Sequence, residues 1–167
     1  MVREDKKIVQ GRSMKSLQET YAPSSTCFGC GPSNEKGLKI RSFVEGEKVI
    51  AIWTPEAHHE AFPGVLNGGI IGSLLDCHCN WTAAWHIMSS LSLDKPLCTV
   101  TAHYSINLFR PTPSKSDVRL EAHIVDYDGK HKVDVKGTLF VDGKACASCS
   151  GLFVAVKEGH PAYHRWG

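Results

Sequence analysis

The stretch Pro63–Trp81 limits most tightly what this chain can fold into. A loop carrying Pro63 and Gly64 runs through Asn67 into the pair Gly68-Gly69, and a helical pattern begins at once. At about 100° per residue, Ile70, Ile71, Leu74, His78, Trp81 and Trp85 gather on one side, and Gly72, Ser73, Asp76, Asn80 and Ala83 on the other. Between Gly68 and Met88 the only charged side chain of the Asp, Glu, Lys and Arg types is Asp76, about two turns in. A solvent-facing helix of that length carries several such residues, so this one is expected to be buried nearly all round. Glycines at a helix start let a ligand approach unpaired backbone N–H groups, which attract developing negative charge. A carboxylate inside the same helix is costly to bury, and that favours a functional role for it.

The remaining segments must therefore cover a helix on all sides. Residues 1–26 are polar and weakly patterned and read as a loose arm, with a short helix near Met14–Thr20. Cys27–Leu38 holds three glycines, a proline and an asparagine and reads as an ordered turn region. Strands are expected over Leu38–Glu45 and Lys48–Thr54, and a loop over Pro55–Leu66. After the helix come four long β segments, Leu97–Phe109, Asp117–Asp126, Lys132–Val141 and Lys144–Val156. Asp142-Gly143 and Asp128-Gly129 are tight-turn signals that make their flanking strands antiparallel neighbours. Residues 158–167 form a tail without clear pattern. The result is an α+β chain with one domain over 27–157, in which a curved antiparallel sheet of about six strands wraps one central helix.

Composition excludes several classes. A net charge of +2, with no long basic run, argues against nucleic acid. No apolar stretch reaches the roughly 18–20 residues of a membrane span, and residues 1–7 lack the apolar core of a signal peptide, so the cytoplasm is the expected compartment. Seven cysteines, an odd number, do not describe a secreted disulfide framework. Cys27 and Cys30 form a C-x-x-C, but Cys77/Cys79 fall in a helical pattern and Cys146/Cys149 in a strand pattern. Neither pair resembles a zinc knuckle, so small buried thiols are expected and no metal site.

Three features together resemble a known family: the order of elements, the stretch G-x-x-N-G-G-I-I-x-x-x-L-D, and the opening Cys27-Phe28-Gly29-Cys30-Gly31…Asn34…Gly37-Leu38. They are similar to the hotdog-fold thioesterases of the phenylacetyl-CoA and 4-hydroxybenzoyl-CoA type, over roughly Cys27–Val156. The resemblance implies a homodimer, often a dimer of dimers (a homotetramer), with active sites shared between subunits, and hydrolysis of an acyl-CoA thioester without a separate cofactor, coenzyme A being part of the substrate. It maps the helix carboxylate, general base or nucleophile, onto Asp76. The N–H that polarises the thioester carbonyl maps onto Gly68 or its neighbour Gly69, and a polar residue one turn after the acid onto Asn80. The sequence departs from the family at Asn67, where a histidine is usual, and at Ala61, where some members carry a polar residue. Asparagine donates a hydrogen bond but does not titrate near neutral pH.

Acyl-CoA hydrolysis is the leading expectation, with Ser73 and Asn80 holding the acid or its water. The competing reading of Asp76 is structural, bonded to backbone of a partner subunit, and that of Gly68-Gly69 is a tight loop-to-helix junction. His78, on the large apolar face, reads as a core histidine. His58 and His59 precede the helix and are candidates for the pocket mouth, and Trp53, Phe62, Trp81 and Trp85 for an apolar acyl pocket or simply core. Arg110, Lys130 and Lys132 lie at strand ends, where they either meet coenzyme A phosphates or stay solvated. The alternative from another class is a non-catalytic acyl-CoA binder or sensor in which Asn67 replaces the histidine.

Overall fold

The structure is a computed structural model that describes residues 14–167, so half of the N-terminal arm lies outside the described residues. In chain order the elements are α1 (Leu17–Tyr21), β1 (Phe43–Glu45), β2 (Lys48–Trp53), a 3₁₀ turn (Ala57–His59), β3 (Glu60–Phe62), β4 (Val65–Leu66), α2 (Gly68–Ser90), β5 (Thr99–Leu108), β6 (Val118–Tyr127), β7 (Lys132–Val141) and β8 (Lys144–Ala155). Six strands form one antiparallel sheet in the order β1-β2-β6-β7-β8-β5, and β3 and β4 pair separately. One long helix packed on such a sheet is the hotdog fold. Among the described residues no helix is long and apolar enough to cross a membrane.

Turn chemistry sets the register of the long strands. In the β7–β8 hairpin Asp142 and Gly143 both take positive φ, 50° and 75°, which matches the twist of the strands on either side. At the β6–β7 turn Asp128 Oδ1 accepts from the N–H groups of Lys130, His131 and Lys132 at 2.8, 2.8 and 3.0 Å, with Gly129 beside it at φ 77°. β7 then turns Val133, Val135, Gly137, Leu139 and Val141 inward by strict alternation. At Gly137 a Cβ would lie 2.6 Å from Cys79 Sγ, so the glycine is what lets α2 settle against the middle of the sheet.

The helix is buried nearly all round, as its lack of charge requires. Ile71, Leu74, Leu75, Cys79, Trp81, Ala83, Ala84 and Ile87 are all in the core. His78 is fully buried and fully bonded: its Nε2 lies 2.9 Å from Val49 O, and its Nδ1 lies 2.9 Å from Ser42 Oγ. Ser42 Oγ in turn accepts from Gln18 Nε2 at 2.9 Å, so the chain of donors is consistent with a neutral imidazole protonated at Nε2. Burial holds the His78 pKa down to about 4. His78 is thus the core histidine that its apolar face implied.

Three segments differ from the sequence reading. Residues 16–22, part of the supposed loose arm, are docked: a capping box on Ser16 starts α1, Leu17 N–H donates to Ser42 O at 2.9 Å, and Gln18 and Ala22 are fully buried. The first strand is only Phe43–Glu45. Its expected first half instead ties the Cys27–Gly37 region to the core, through Leu38 N–H to Phe28 O, Ile40 N–H to Gly29 O, and Trp53 Nε1–H to Leu38 O. The tail 158–167 folds back, and Trp166 stacks on Trp81 with ring centroids 4.2 Å apart.

Candidate active site

α2 begins at Gly68 because Asn67 caps it. The Asn67 side-chain Oδ1 accepts from Ile70 N–H at 3.1 Å, and the Asn67 backbone N–H is anchored to His59 O at 2.9 Å. Among the described residues no acceptor sits on the N–H groups of Gly68 or Gly69, both of which are exposed. An asparagine in this position therefore does a helix-capping job that leaves the two glycine donors free. Asn67→Ala is expected to lose about 1 kcal/mol of stability, read as a lower urea midpoint at unchanged slope, whereas Asn67→Asp, which keeps the cap, should stay near the parent value.

The face of α2 that carries Asp76 lies along β5, one of the two edge strands of the sheet. The two run side by side. A Cβ on Gly68 would stand 3.6 Å from Leu108 Cδ1, and one on Gly72 would stand 4.0 Å from the Tyr104 hydroxyl. Thr101 Oγ1 donates to Asp76 Oδ1 at 2.6 Å, and Asn80 Nδ2 donates to Thr99 O at 3.3 Å. The β5–β8 register slips between Thr101 and His103, a bulge of the kind that re-aims side chains at strand edges.

Asp76 is half-buried, and burial pushes its carboxyl above the ordinary aspartate value. The Thr101 hydroxyl opposes that shift, the neighbouring Cys27 adds to it, and Arg165 from the folded-back tail opposes it. Thr101 was not legible in the sequence, since alternation along β5 does not say which threonine meets the helix. Among the described residues neither Ser73 nor Asn80 hydrogen-bonds the carboxylate, so of the two expected roles, holding the acid or holding its water, the first is not seen. Ser73 Oγ donates to Gly69 O one turn back at 3.1 Å. Among the described residues Asn80 Oδ1 is buried without a partner, an acceptor one turn beyond the acid.

The other expected site residues fall in two groups. At the Gly68 end, His59 is buried against Trp53 with centroids 4.9 Å apart, and its Nδ1 accepts from Glu56 N–H at 2.9 Å. Burial, followed by the neighbouring His58, lowers its pKa, so the ring is neutral at pH 7. Phe62 stands 60% exposed on the β3–β4 hairpin, and Arg110 is exposed just beyond the end of β5. At the other end of α2, where Tyr127 meets His86 edge-on at 5.1 Å, Lys130 and Lys132 are exposed on the β6–β7 turn. Within one chain they are not brought to the Gly68 donors.

No protein-family model matches the chain, and no curated protein sequence does. Solved structures do. A thioesterase superfamily protein from Shewanella loihica PV-4 is 30% identical, with a TM-score of 0.59 over 71% of this chain and 91% of that one. The chain belongs to the thioesterase superfamily. A second thioesterase superfamily protein matches 88% of this chain and 68% of its own at 25% identity and a TM-score of 0.65. A phenylacetic acid degradation-related protein from Ralstonia eutropha JMP134, 17% identical with a TM-score of 0.56 over 70% of this chain and 85% of its own, shares the fold. In this thioesterase superfamily member the free glycine donors and the half-buried acid stand on one helix, beside one open strand edge.

Proposed function

We propose that the chain hydrolyses an acyl-CoA thioester to the free acid and coenzyme A. The observation that carries this reading is the pairing of unoccupied N–H donors at Gly68 and Gly69 with the half-buried Asp76 in a thioesterase superfamily chain. The thioester carbonyl oxygen binds at the helix start, where the N–H groups stabilise the oxyanion by about 3–4 kcal/mol. Asp76 takes a proton from a water, whose oxygen attacks the carbonyl carbon. The C–S bond then breaks and the coenzyme A thiolate leaves, taking up a proton. The orphan Asn80 Oδ1 is an acceptor suited to hold that water. Asn67 sets the helix start rather than moving a proton.

One chain does not suffice. Eight residues at 1.5 Å per residue separate Gly68 from Asp76 by about 12 Å along the helix axis, too far for one carbonyl to meet both. The site closes when the Gly68 end of one chain meets the Asp76 face of a second. β5 offers the seam: it is an edge strand with a free side, and Tyr104 and Leu108 on it and Phe109 just beyond it are 43, 58 and 57% exposed. A long edge with exposed apolar side chains invites pairing with another copy. Around such a dimer, Gly69, Ser73, His59 and Phe62 border the acyl end, and Arg110, Lys130 and Lys132 supply cations to the coenzyme A phosphates.

The test is free-thiol release from aryl, short-, medium- and long-chain acyl-CoAs, run beside equilibrium binding and sedimentation equilibrium. Saturable release by a dimer or tetramer is expected. Tight binding of the same esters without release would replace the hydrolase by a non-catalytic binder, and an active monomer would remove the shared site.

A further inference from the structure

Three thiols that the reaction does not use meet beside α2. Cys27 and Cys30 come from the turn region ahead of β1, and Cys77 from the helix itself. Their sulfurs all lie within 4.8 Å of one another, and Cys27 Sγ is 3.8 Å from Cys77 Sγ. A zinc–sulfur bond of about 2.3 Å in a tetrahedral shell places neighbouring sulfurs about 3.8 Å apart. The cluster is therefore at ligand spacing, and too open for a disulfide between Cys27 and Cys77, which needs sulfurs about 2.05 Å apart.

The surroundings are built for it. In the run Cys27-Phe28-Gly29-Cys30-Gly31 the chain turns back on itself, with Gly31 N–H donating to Cys27 O at 2.8 Å. Both glycines are needed. A Cβ on Gly29 would collide with Cys77 Sγ, and a Cβ on Gly31 would stand 2.5 Å from Cys27 N and from Ser25 O. Trp81 Nε1–H donates to Cys30 Sγ at 3.3 Å, the kind of outer bond that orients a thiolate ligand. Cys30 is buried, whereas Cys27 and Cys77 are partly exposed, which leaves a way in for an ion.

The geometry points to a metal site: Cys27, Cys30 and Cys77 bind one soft divalent cation, zinc, through three thiolates, with the fourth position held by water or an external donor. Loading displaces the thiol protons to solvent and oxidises nothing. Pairing cysteines by sequence proximity hid the site, because Cys77 was grouped with Cys79. Cys79 in fact points to the sheet at Gly137, two residues on and about 200° round the helix from Cys77. The signal that was legible was the C-x-x-C-G itself, with a glycine at its third position.

The reduced full-length protein, stripped with chelator, is titrated with zinc and separately with cobalt under argon. One ion per chain is expected, with the thiolate-to-cobalt charge-transfer and d–d bands of tetrahedral cobalt, and zinc X-ray absorption showing three sulfurs at about 2.3 Å. Cys77→Ser should weaken binding by about tenfold or more, and Cys98→Ser, outside the cluster, should bind as the parent does. Alkylation mapping on the unmutated chain gives a reading that no folding defect can disturb: zinc should protect Cys27 and Cys77 from iodoacetamide. No uptake by the reduced chain, a six-coordinate oxygen-type cobalt spectrum, parental affinity in Cys77→Ser, or unprotected Cys27 and Cys77 would each overturn the site. None of these readouts depends on thioester hydrolysis.

Discussion

Asp76→Asn should lower kcat/KM for acyl-CoA hydrolysis by about 10²- to 10⁴-fold, the usual contribution of a positioned general base. Asparagine has the same shape as aspartate and can still accept the Thr101 hydroxyl through its amide oxygen, so the 2.6 Å contact and the local packing are preserved. The replaced atom can no longer take a proton from water. Stability should not fall with activity, because a carboxylate that burial disfavours gives way to a neutral amide. If Asp76 acts on the attacking water and the ester is held at the helix start, as proposed, the loss should appear in kcat with little change in KM. Free-thiol release and a thermal melt on the same sample separate the two effects. Turnover at the parental rate would remove Asp76 from the chemistry, and loss of activity together with collapse of the melt would make it structural.

That prediction rests on parts that the sequence showed to very different degrees. The burial of α2 was legible because a 23-residue helix carrying one charged side chain of the acidic and basic types has nowhere else to go. β7 was legible to the residue, since the Asp142-Gly143 turn ends it and the alternation from Lys132 to Val141 has no exception. Features set by distant contacts were not. Leu38–Ser42 has the composition of a strand, yet its backbone groups are claimed by Phe28, Gly29, Trp53 and Gln18, and Lys39 turns to φ 53° on the way. The short β3–β4 pair inside the expected loop depends on Glu60 holding Gly64 N–H and on Thr112 holding Leu66 N–H, neither of which is a periodic signal. At the site the same division holds. Asp76 and the Gly68 donors follow from one contiguous stretch, whereas Thr101, Arg165 and the meeting of Cys77 with Cys27 and Cys30 require the sheet, the tail and the turn region to be in place.

Trp81→Ala should cost about 3–5 kcal/mol, the range for deleting a large aromatic side chain from a core. The ring is 1% exposed, lies almost parallel to Trp166 at an interplanar angle of 18°, and sends its N–H to Cys30 Sγ. It is thus the point on α2 where the C-terminal tail and the turn region both attach. Against the 5–15 kcal/mol of a typical domain this is a large share, and urea unfolding should show a clearly lower midpoint. Trp81→Phe keeps most of the stacked area and gives up the N–H bond to sulfur, so it should cost much less. Trp166→Ala removes the other ring, and the pair should show a coupling of about 0.5–1.5 kcal/mol in a double-mutant cycle. A coupling near zero would mean that the tail does not rest on the helix in solution. Because Arg165 lies next to Trp166 in that tail and bears on the Asp76 carboxylate, Trp166→Ala has a second consequence. The carboxylate loses a cation that helps hold its pKa down, so an effect on turnover without contact to the substrate would show that the tail positions the charge around Asp76.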